Sequence, residues 1–347
     1  MQRRSARLVS TLTLVAAMAV TFTACGSSSK GNASGPSGSS GGSGSTTLSL
    51  VAYSTPQTAF DAIIKEYQKT TLGKNVKFTE SYGASGDQSR AVFSGLETDV
   101  ANFSLAPDMA RLVKAGIVDA SWNTGPTKGI LTNSVVVFAV RKGNPKNIRT
   151  WDDLTKPGIQ VITPNPFTSG GARWNIMAAY GAQLKQGKTA DQAVSYLKAL
   201  FKNVPVQDDS ARKALQTFTG GKGDVLLSYE NDAIFAQQKQ QSIDYVIPDQ
   251  TILIESPAAV TKTSKHATEA SAFLQYLYTP AAQRIFADNG YRPVVAGVAK
   301  AGEFKNPSVL FKITDLGGWT EVTNKFFDPD KGIVAGIEKG IGVSTSK

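Results

Sequence analysis

The strongest constraint on the fold is a repeated alternation of short β-branched runs with amphipathic segments, sustained over most of the chain. "LSLVAYS" (48–54) has the make-up of a buried strand. Pro56 then opens a segment with Phe60, Ile63, Ile64 and Tyr67 at helical spacing. "VKFTESY" (76–82) alternates like a strand and leads through Ala84-Ser85-Gly86 into a predicted helix carrying Val92, Phe93 and Leu96. "VANFSLA" (100–106) predicts another strand, and "NSVVVFAVRKGNP" (133–145) a long one ending in a turn. "WDDL" predicts a short helix before the strand "IQVITP". Helices are predicted from Gly170, over 190–202 and around Ala214, Leu215 and Phe218, with a strand at "VPVQD" (204–208). "DVLLSYEN" (224–231) predicts a strand entering a helix, and 245–260 two more strands. Helices over 266–278 and 280–289 follow, and the tail has no regular pattern.

Such alternation predicts an α/β fold with mainly parallel sheets flanked by helices. The long apolar runs near 133–141 and 251–260 could each cross between two lobes. Residues 48–138 plus 256–347 would then form one lobe and 139–255 the other, with a cleft between them.

The N-terminus carries a different signal. Arg3, Arg4 and Arg7 precede an apolar run from Leu8 to Phe22, too short to span a bilayer easily, so residues 1–24 read as a signal peptide. Cys25, after Thr23-Ala24, resembles the lipidated cysteine of a bacterial lipobox, with Phe22 where Leu is commoner. Residues 26–45 contain nine Ser and seven Gly, a flexible tether reaching on the order of 25 Å. The body is thus expected to be extracytoplasmic, anchored to the outer face of the membrane by lipid alone. "GSSGG" (38–42) matches G-x-S-x-G only formally, in low-complexity sequence with no strand before it.

Composition narrows the chemistry. Cys25 and His266 are the only residues of their kinds, which removes an intramolecular disulfide and the usual zinc constellations. The net charge is +10, and +7 (34 basic, 27 acidic) without Arg3, Arg4 and Arg7. The cations are scattered, which argues against a nucleic-acid stripe. "GKT" at 187–189 lacks the Walker glycine, because position 182 is Ala. Trp122, Trp151, Trp174 and Trp319 read as packing residues, and Asp152-Asp153 and Asp208-Asp209 as helix N-terminal acids. No Ser/His/Asp set, metal site or cofactor motif is evident.

Five loops follow the ends of predicted strands: Ser54, Ser85 in "YGASGDQS", Ser169-Gly170-Gly171 in "VITPNPFTSGGARWN", Ser210-Ala211, and Tyr229 in "DVLLSYEN". In open α/β sheets ligands bind outside the carboxyl ends of strands. Helices starting there would direct free N–H groups and positive dipole ends into the cleft. Each loop alone fits ordinary capping and turn chemistry. Together, neutral donors without a strand-end Lys or His suit a small oxyanion.

The stretch "VRKGNPKNIRTWDDLTKPGIQVITPNPFTSGGARWNIMAAYG" (140–181) resembles the central signature of the sulfate/thiosulfate-binding proteins of ABC importers. "YGASGDQS", "LFKNVPVQDDSARKALQTF", "GDVLLSYEN", "FLQYLYTPAAQ", "YRPV" and "LGGWT" extend the likeness in the family's order across most of residues 48–330. The resemblance implies a type II periplasmic-binding-protein fold, no enzymatic activity, and a monomer that delivers sulfate to permease subunits. Thiosulfate, molybdate or phosphate are alternative ligands, and a secreted ester hydrolase or an anion receptor are alternatives of other classes. By motif match, Ser85 and Ser169 would donate to the anion through backbone or hydroxyl groups and Gly170, Gly171 and Ala211 through backbone N–H; Ser54 joins them as a candidate from its strand-end position. Tyr229 stands where the family carries a tryptophan indole, and Asp87 where sulfate binders often carry Lys.

Overall fold

β1 (Thr46–Tyr53) buries Leu48, Leu50 and Ala52 on one face and Val51 on the other, and so begins as an internal strand. The computed structural model describes residues 45–345; the expected signal peptide, Cys25 and nearly all of the tether lie outside the described residues. α1 (Gln57–Tyr67) sends Phe60, Ile63, Ile64 and Tyr67 into the core, as their spacing requires. β2 (Val76–Gly83) pairs parallel with β1 and hands over to α2 (Ser85–Phe93). Phe93 and Leu96 do not join the core face expected of them: the helix stops at Phe93, and both side chains are exposed.

β3 (Val100–Asn102) is shorter than the sequence suggests, because the chain turns at Ser104 into an unanticipated helix, α3 (Ala106–Lys114). β4 (Ile130–Arg141) explains its own composition. Val136, Phe138 and Val140 enter one core cluster while Val135, Val137 and Ala139 enter another, so both faces are buried and the run reads as continuously apolar. A 3-10 helix (Trp151–Thr155) with a Thr150/Asp153 capping box precedes β5 (Val161–Ile162).

α4 (Gly170–Lys185) is buried nearly all round. It packs on α5 (Ala190–Lys202), and the 186–189 segment between them is a turn that caps α5 through Thr189. α6 (Ala211–Thr219), β6 (Val225–Tyr229), α7 (Glu230–Gln238), β7 (Ile243–Val246) and β8 (Gln250–Val260) follow. "VPVQD" contributes only one bridge, Val206 to Ile162, rather than a strand. α8 (Ala267–Leu277), with His266 at its N-cap, and α9 (Pro280–Asp288) cover β1.

The tail is regular after all. β9 (Arg292–Pro293), β10 (Val309–Phe311), a 3-10 turn, α10 (Gly318–Phe326) and α11 (Ile333–Gly340) complete the chain. Phe311, Phe326, Val334 and Ile337 share a core with Trp174, Met177 and Leu197. Burial of side chains of this size is worth about 1.5–3 kcal/mol each, which holds even glycine-rich α11 in helical form.

The strand order β2-β1-β3-β8-β4-β6-β5 runs through one twisted sheet, with β7 and β9 on β4 and β10 on β8. The α/β architecture agrees with the sequence, but the sheet is mixed rather than mainly parallel. β1 with β2 and β3, β5 with β6, and β10 with β8 run parallel. Every antiparallel pairing involves β4 or β8, the two long apolar strands that run side by side through the middle of the sheet.

Candidate functional site

One small, nearly filled cavity is lined by Tyr53, Ser54, Ala84, Ser85, Ser104, Ser169, Gly171, Ala211 and Tyr229. The strand-end loops singled out in the sequence therefore meet at one place. Six of the seven candidate residues line it: Ser54, Ser85, Ser169, Gly171, Ala211 and Tyr229. The seventh, Gly170, sits just behind, against Ser104 and Leu105. A Cβ at Gly170 would overlap the Ser104 hydroxyl, so glycine is required there by close packing.

Four helices begin at the cavity wall with lining residues at or next to their first turn: α2 at Ser85, α4 at Gly170-Gly171, α6 at Ala211 and α7 just after Tyr229. The first N–H groups of a helix have no partner within it, and the dipole places partial positive charge there. A Cβ at Gly171 would lie 3.4–3.7 Å from Ser169 Oγ, Ala211 Cβ and Tyr229 Cε1, all lining groups. Its absence leaves the backbone bare to the cavity.

The α4 entry loop is fixed by its own chemistry. Pro164 and Pro166 restrict the chain. Phe167 N–H donates to Asn165 Oδ1, and Asn165 N–H to the Asp208 carbonyl, both at 2.8 Å. Thr168 Oγ1 donates to the Asp209 carbonyl at 2.8 Å, tying this loop to the approach to α6. Gly86 N–H donates to the Thr168 carbonyl at 3.0 Å, tying it to α2 as well. Ser169 caps α4 by accepting from Ala172 N–H at 3.4 Å, which leaves its own hydroxyl proton to point elsewhere.

Ser85 behaves differently. Its hydroxyl donates to Asp108 Oδ2 at 2.6 Å and accepts from Ser104 N–H at 3.0 Å, so its contribution to the cavity falls to its backbone N–H. Asp108 is itself held by Arg111, at 3.2 Å. Asp87, in the first turn of α2, pairs with Arg90. Behind the far wall, Asp232 accepts from Ser228 Oγ at 2.9 Å, and burial raises its pKa against the pull of Arg212. Arg212 Nη2 donates to the Thr55 carbonyl at 2.8 Å.

No Asp, Glu, Lys, Arg or His lines the cavity itself. The titratable lining groups are phenols. Burial pushes Tyr53 up to about 12 and Tyr229 well above its ordinary value, so both stay neutral hydroxyls near pH 7. Tyr229 Oη is buried beside the Ser104 hydroxyl and makes no hydrogen bond of full geometry.

Ser104 was missed because "VANFSLA" reads as strand through to residue 106. The signal available was the pattern shared by the other loops, a serine at a strand's carboxyl end before a helix. Trp174 is a packing residue, as expected: it is fully buried against Trp319, and its Nε1–H donates to the Ser104 carbonyl at 2.7 Å. Among the described residues no group of three or more His, Cys, Asp or Glu could hold a metal ion, and no helix is long and apolar enough to cross a membrane.

Residues 48–292 match the family described as bacterial extracellular solute-binding protein. A sulfate-binding protein of Synechococcus elongatus is 42% identical over 325 residues, covering 90% of this chain and 91% of that protein. A thiosulfate-binding protein of Escherichia coli is 35% identical over 288 residues, covering 78% and 85%. The solved structure of the sulfate-binding protein SubI from Mycobacterium tuberculosis H37Rv superposes with a TM-score of 0.80 at 46% identity, covering 82% of this chain and all of that one. With helix starts gathered around one uncharged cavity and relatives of this likeness along most of its length, the chain belongs to the bacterial extracellular solute-binding proteins, among relatives named for sulfate and thiosulfate.

Proposed function

We propose that this protein captures sulfate outside the cytoplasm and delivers it to an ABC-type permease. The observation that carries the reading is the cavity lining: helix N-termini, serine hydroxyls and a neutral phenol, with no carboxylate facing inward. Sulfate carries no proton near neutral pH, so it asks only for donors. A phosphate site can use a carboxylate to accept the proton of hydrogen phosphate, and that group would repel sulfate. Burying a dianion is costly unless its oxygens are satisfied. Hydrogen bonds to a charged group contribute about 1.5–3 kcal/mol each. About six give on the order of 10–20 kcal/mol, against association costs of about 4–15.

In this reading Ser54, Ser85, Gly170, Gly171 and Ala211 donate through backbone N–H, Ser169 through its hydroxyl, and Tyr229 through its phenol. The protein acts as a binding protein rather than an enzyme, as a monomer. Its two lobes are joined where β4 and β8 run side by side. The shared core of residues 309–337 with α4 and α5 supports placing that closing segment with the second lobe. Closure over the anion would create the surface that a permease reads. Lipidation at Cys25, with the Gly/Ser tether, would hold the body beside the membrane.

Calorimetry with sulfate, thiosulfate, phosphate and molybdate on the chain from residue 26 tests this reading. Sulfate or thiosulfate should bind at micromolar concentration or tighter. Tight phosphate binding with no response to sulfate would overturn it.

A further inference from the structure

Ser104 lies between β3 and α3, and its backbone is pinned on both sides. Its N–H donates to Ser85 Oγ at 3.0 Å, and its carbonyl accepts from Trp174 Nε1 at 2.7 Å. Its side chain is not. Ser104 Oγ is buried, with the residue only 1% exposed, and makes no hydrogen bond of full geometry. The same residue lines the cavity, packed against the start of α4 so closely that position 170 must be glycine.

A hydroxyl buried without a well-formed hydrogen bond destabilises the empty protein, and an alanine would remove that cost while leaving only a void of one atom. Tyr229, on the lining of the same cavity, presents a second such hydroxyl. The two hydroxyls lie beside each other, close enough to interact, yet neither makes a hydrogen bond of full geometry, and an acceptor placed between them would serve both. We infer that Ser104 Oγ is a ligand-contacting donor that acts beside Tyr229 Oη, so that hydroxyl groups from the β3–α3 and β6–α7 junctions hold the anion alongside the α4 N–H groups. The inference rests on the sulfate reading above. A phenol supplies one donor from a fixed ring, whereas the serine hydroxyl rotates about its Cβ–Oγ bond and can meet whichever oxygen the ring leaves unserved.

Calorimetry with sulfate on Ser104→Ala, Ser104→Cys, Tyr229→Phe and the Ser104→Ala/Tyr229→Phe double variant, paired with thermal melts of each ligand-free protein, tests this. Ser104→Ala should weaken sulfate binding roughly ten- to hundredfold, as expected for one lost hydrogen bond to a charged group. Its ligand-free melting temperature should be unchanged or higher. Ser104→Cys puts a larger atom with a much weaker donor at the same place, and should lose affinity likewise. Wild-type affinity in Ser104→Ala would overturn the inference while leaving the sulfate reading intact. So would a loss of affinity matched by an equal loss of ligand-free stability, which would mark the hydroxyl as structural. A wild-type protein silent to sulfate would instead overturn the functional reading itself.

Discussion

Adjacent glycines at the start of α4 should respond in opposite ways to the same added methyl group. At Gly171 the new Cβ would sit 3.4 Å from Ser169 Oγ, 3.5 Å from Ala211 Cβ and 3.7 Å from Tyr229 Cε1. These are ordinary contacts, so Gly171→Ala should fold normally. Its melting temperature should stay within about 2–4 °C of the parent, as expected for a change of up to about 1 kcal/mol. The methyl, however, occupies the space through which an anion reaches the α4 backbone. Losing two charge-assisted hydrogen bonds of about 1.5–3 kcal/mol each predicts a Kd for sulfate roughly 10²–10⁴ times higher. At Gly170 the same methyl would overlap Ser104 Oγ and the Leu105 side chain. Gly170→Ala should therefore destabilise the ligand-free protein by about 1–3 kcal/mol, the usual cost of overpacking. Calorimetry and ligand-free thermal melts on both variants separate the two effects. If Gly171→Ala binds sulfate like the parent, the bare backbone at 171 does not face the ligand and the placement of the site is wrong.

Tyr229→Phe removes a buried hydroxyl that lacks a well-formed hydrogen bond, so ligand-free stability should hold or rise while sulfate affinity falls roughly ten- to hundredfold by titration calorimetry. Sulfate affinity should be flat between pH 6 and 9, because burial holds Tyr53 at about 12 and Tyr229 well above its ordinary value and no carboxylate lines the cavity; a steep change across that range would refute an all-donor site. Glu338 on α11 is buried, with Gln207 Nε2 donating to its Oε2 at 2.8 Å, and its pKa is pushed up from 4.5 to about 7. Its folded-state pKa lies above the unfolded one, so its contribution is fully present below about 4.5 and is lost as pH rises toward 7. Glu338→Gln should accordingly raise the melting temperature at pH 8 and leave it nearly unchanged at pH 4, and equal shifts at both would refute the assignment.

The strand-to-helix junctions were legible because they are local. A β-branched run, a small polar residue and an amphipathic segment sit within a dozen positions of each other, and the rule that sheets bind ligands at strand carboxyl ends does the rest. Two kinds of feature were not. "FSLAPD" continues the apolar character of β3, so nothing local marks the turn at Ser104, and α3 and a lining residue went unseen together. The tail hid its helices because Gly317, Gly318, Gly332, Gly336 and Gly340 lower intrinsic helix preference. What makes those segments helical is the core they share with Trp174 and Met177, at a sequence distance of well over a hundred residues. Sheet direction was equally non-local, since β4 and β8 look like any buried strand until their partners are known.

The four helix starts gathered at the cavity have a consequence for folding as well as binding. Bringing several positive dipole ends to one uncharged pocket sets like poles against one another, and without an anion the fold carries that repulsion itself. The captured solute is then a counterion to the architecture, and its concentration becomes a stability variable. At a hundredfold excess over Kd the linkage amounts to about 2.7 kcal/mol. A cell starved of the anion would hold a population of this protein that is less stable as well as empty, and so more exposed to extracytoplasmic proteases for as long as the starvation lasts.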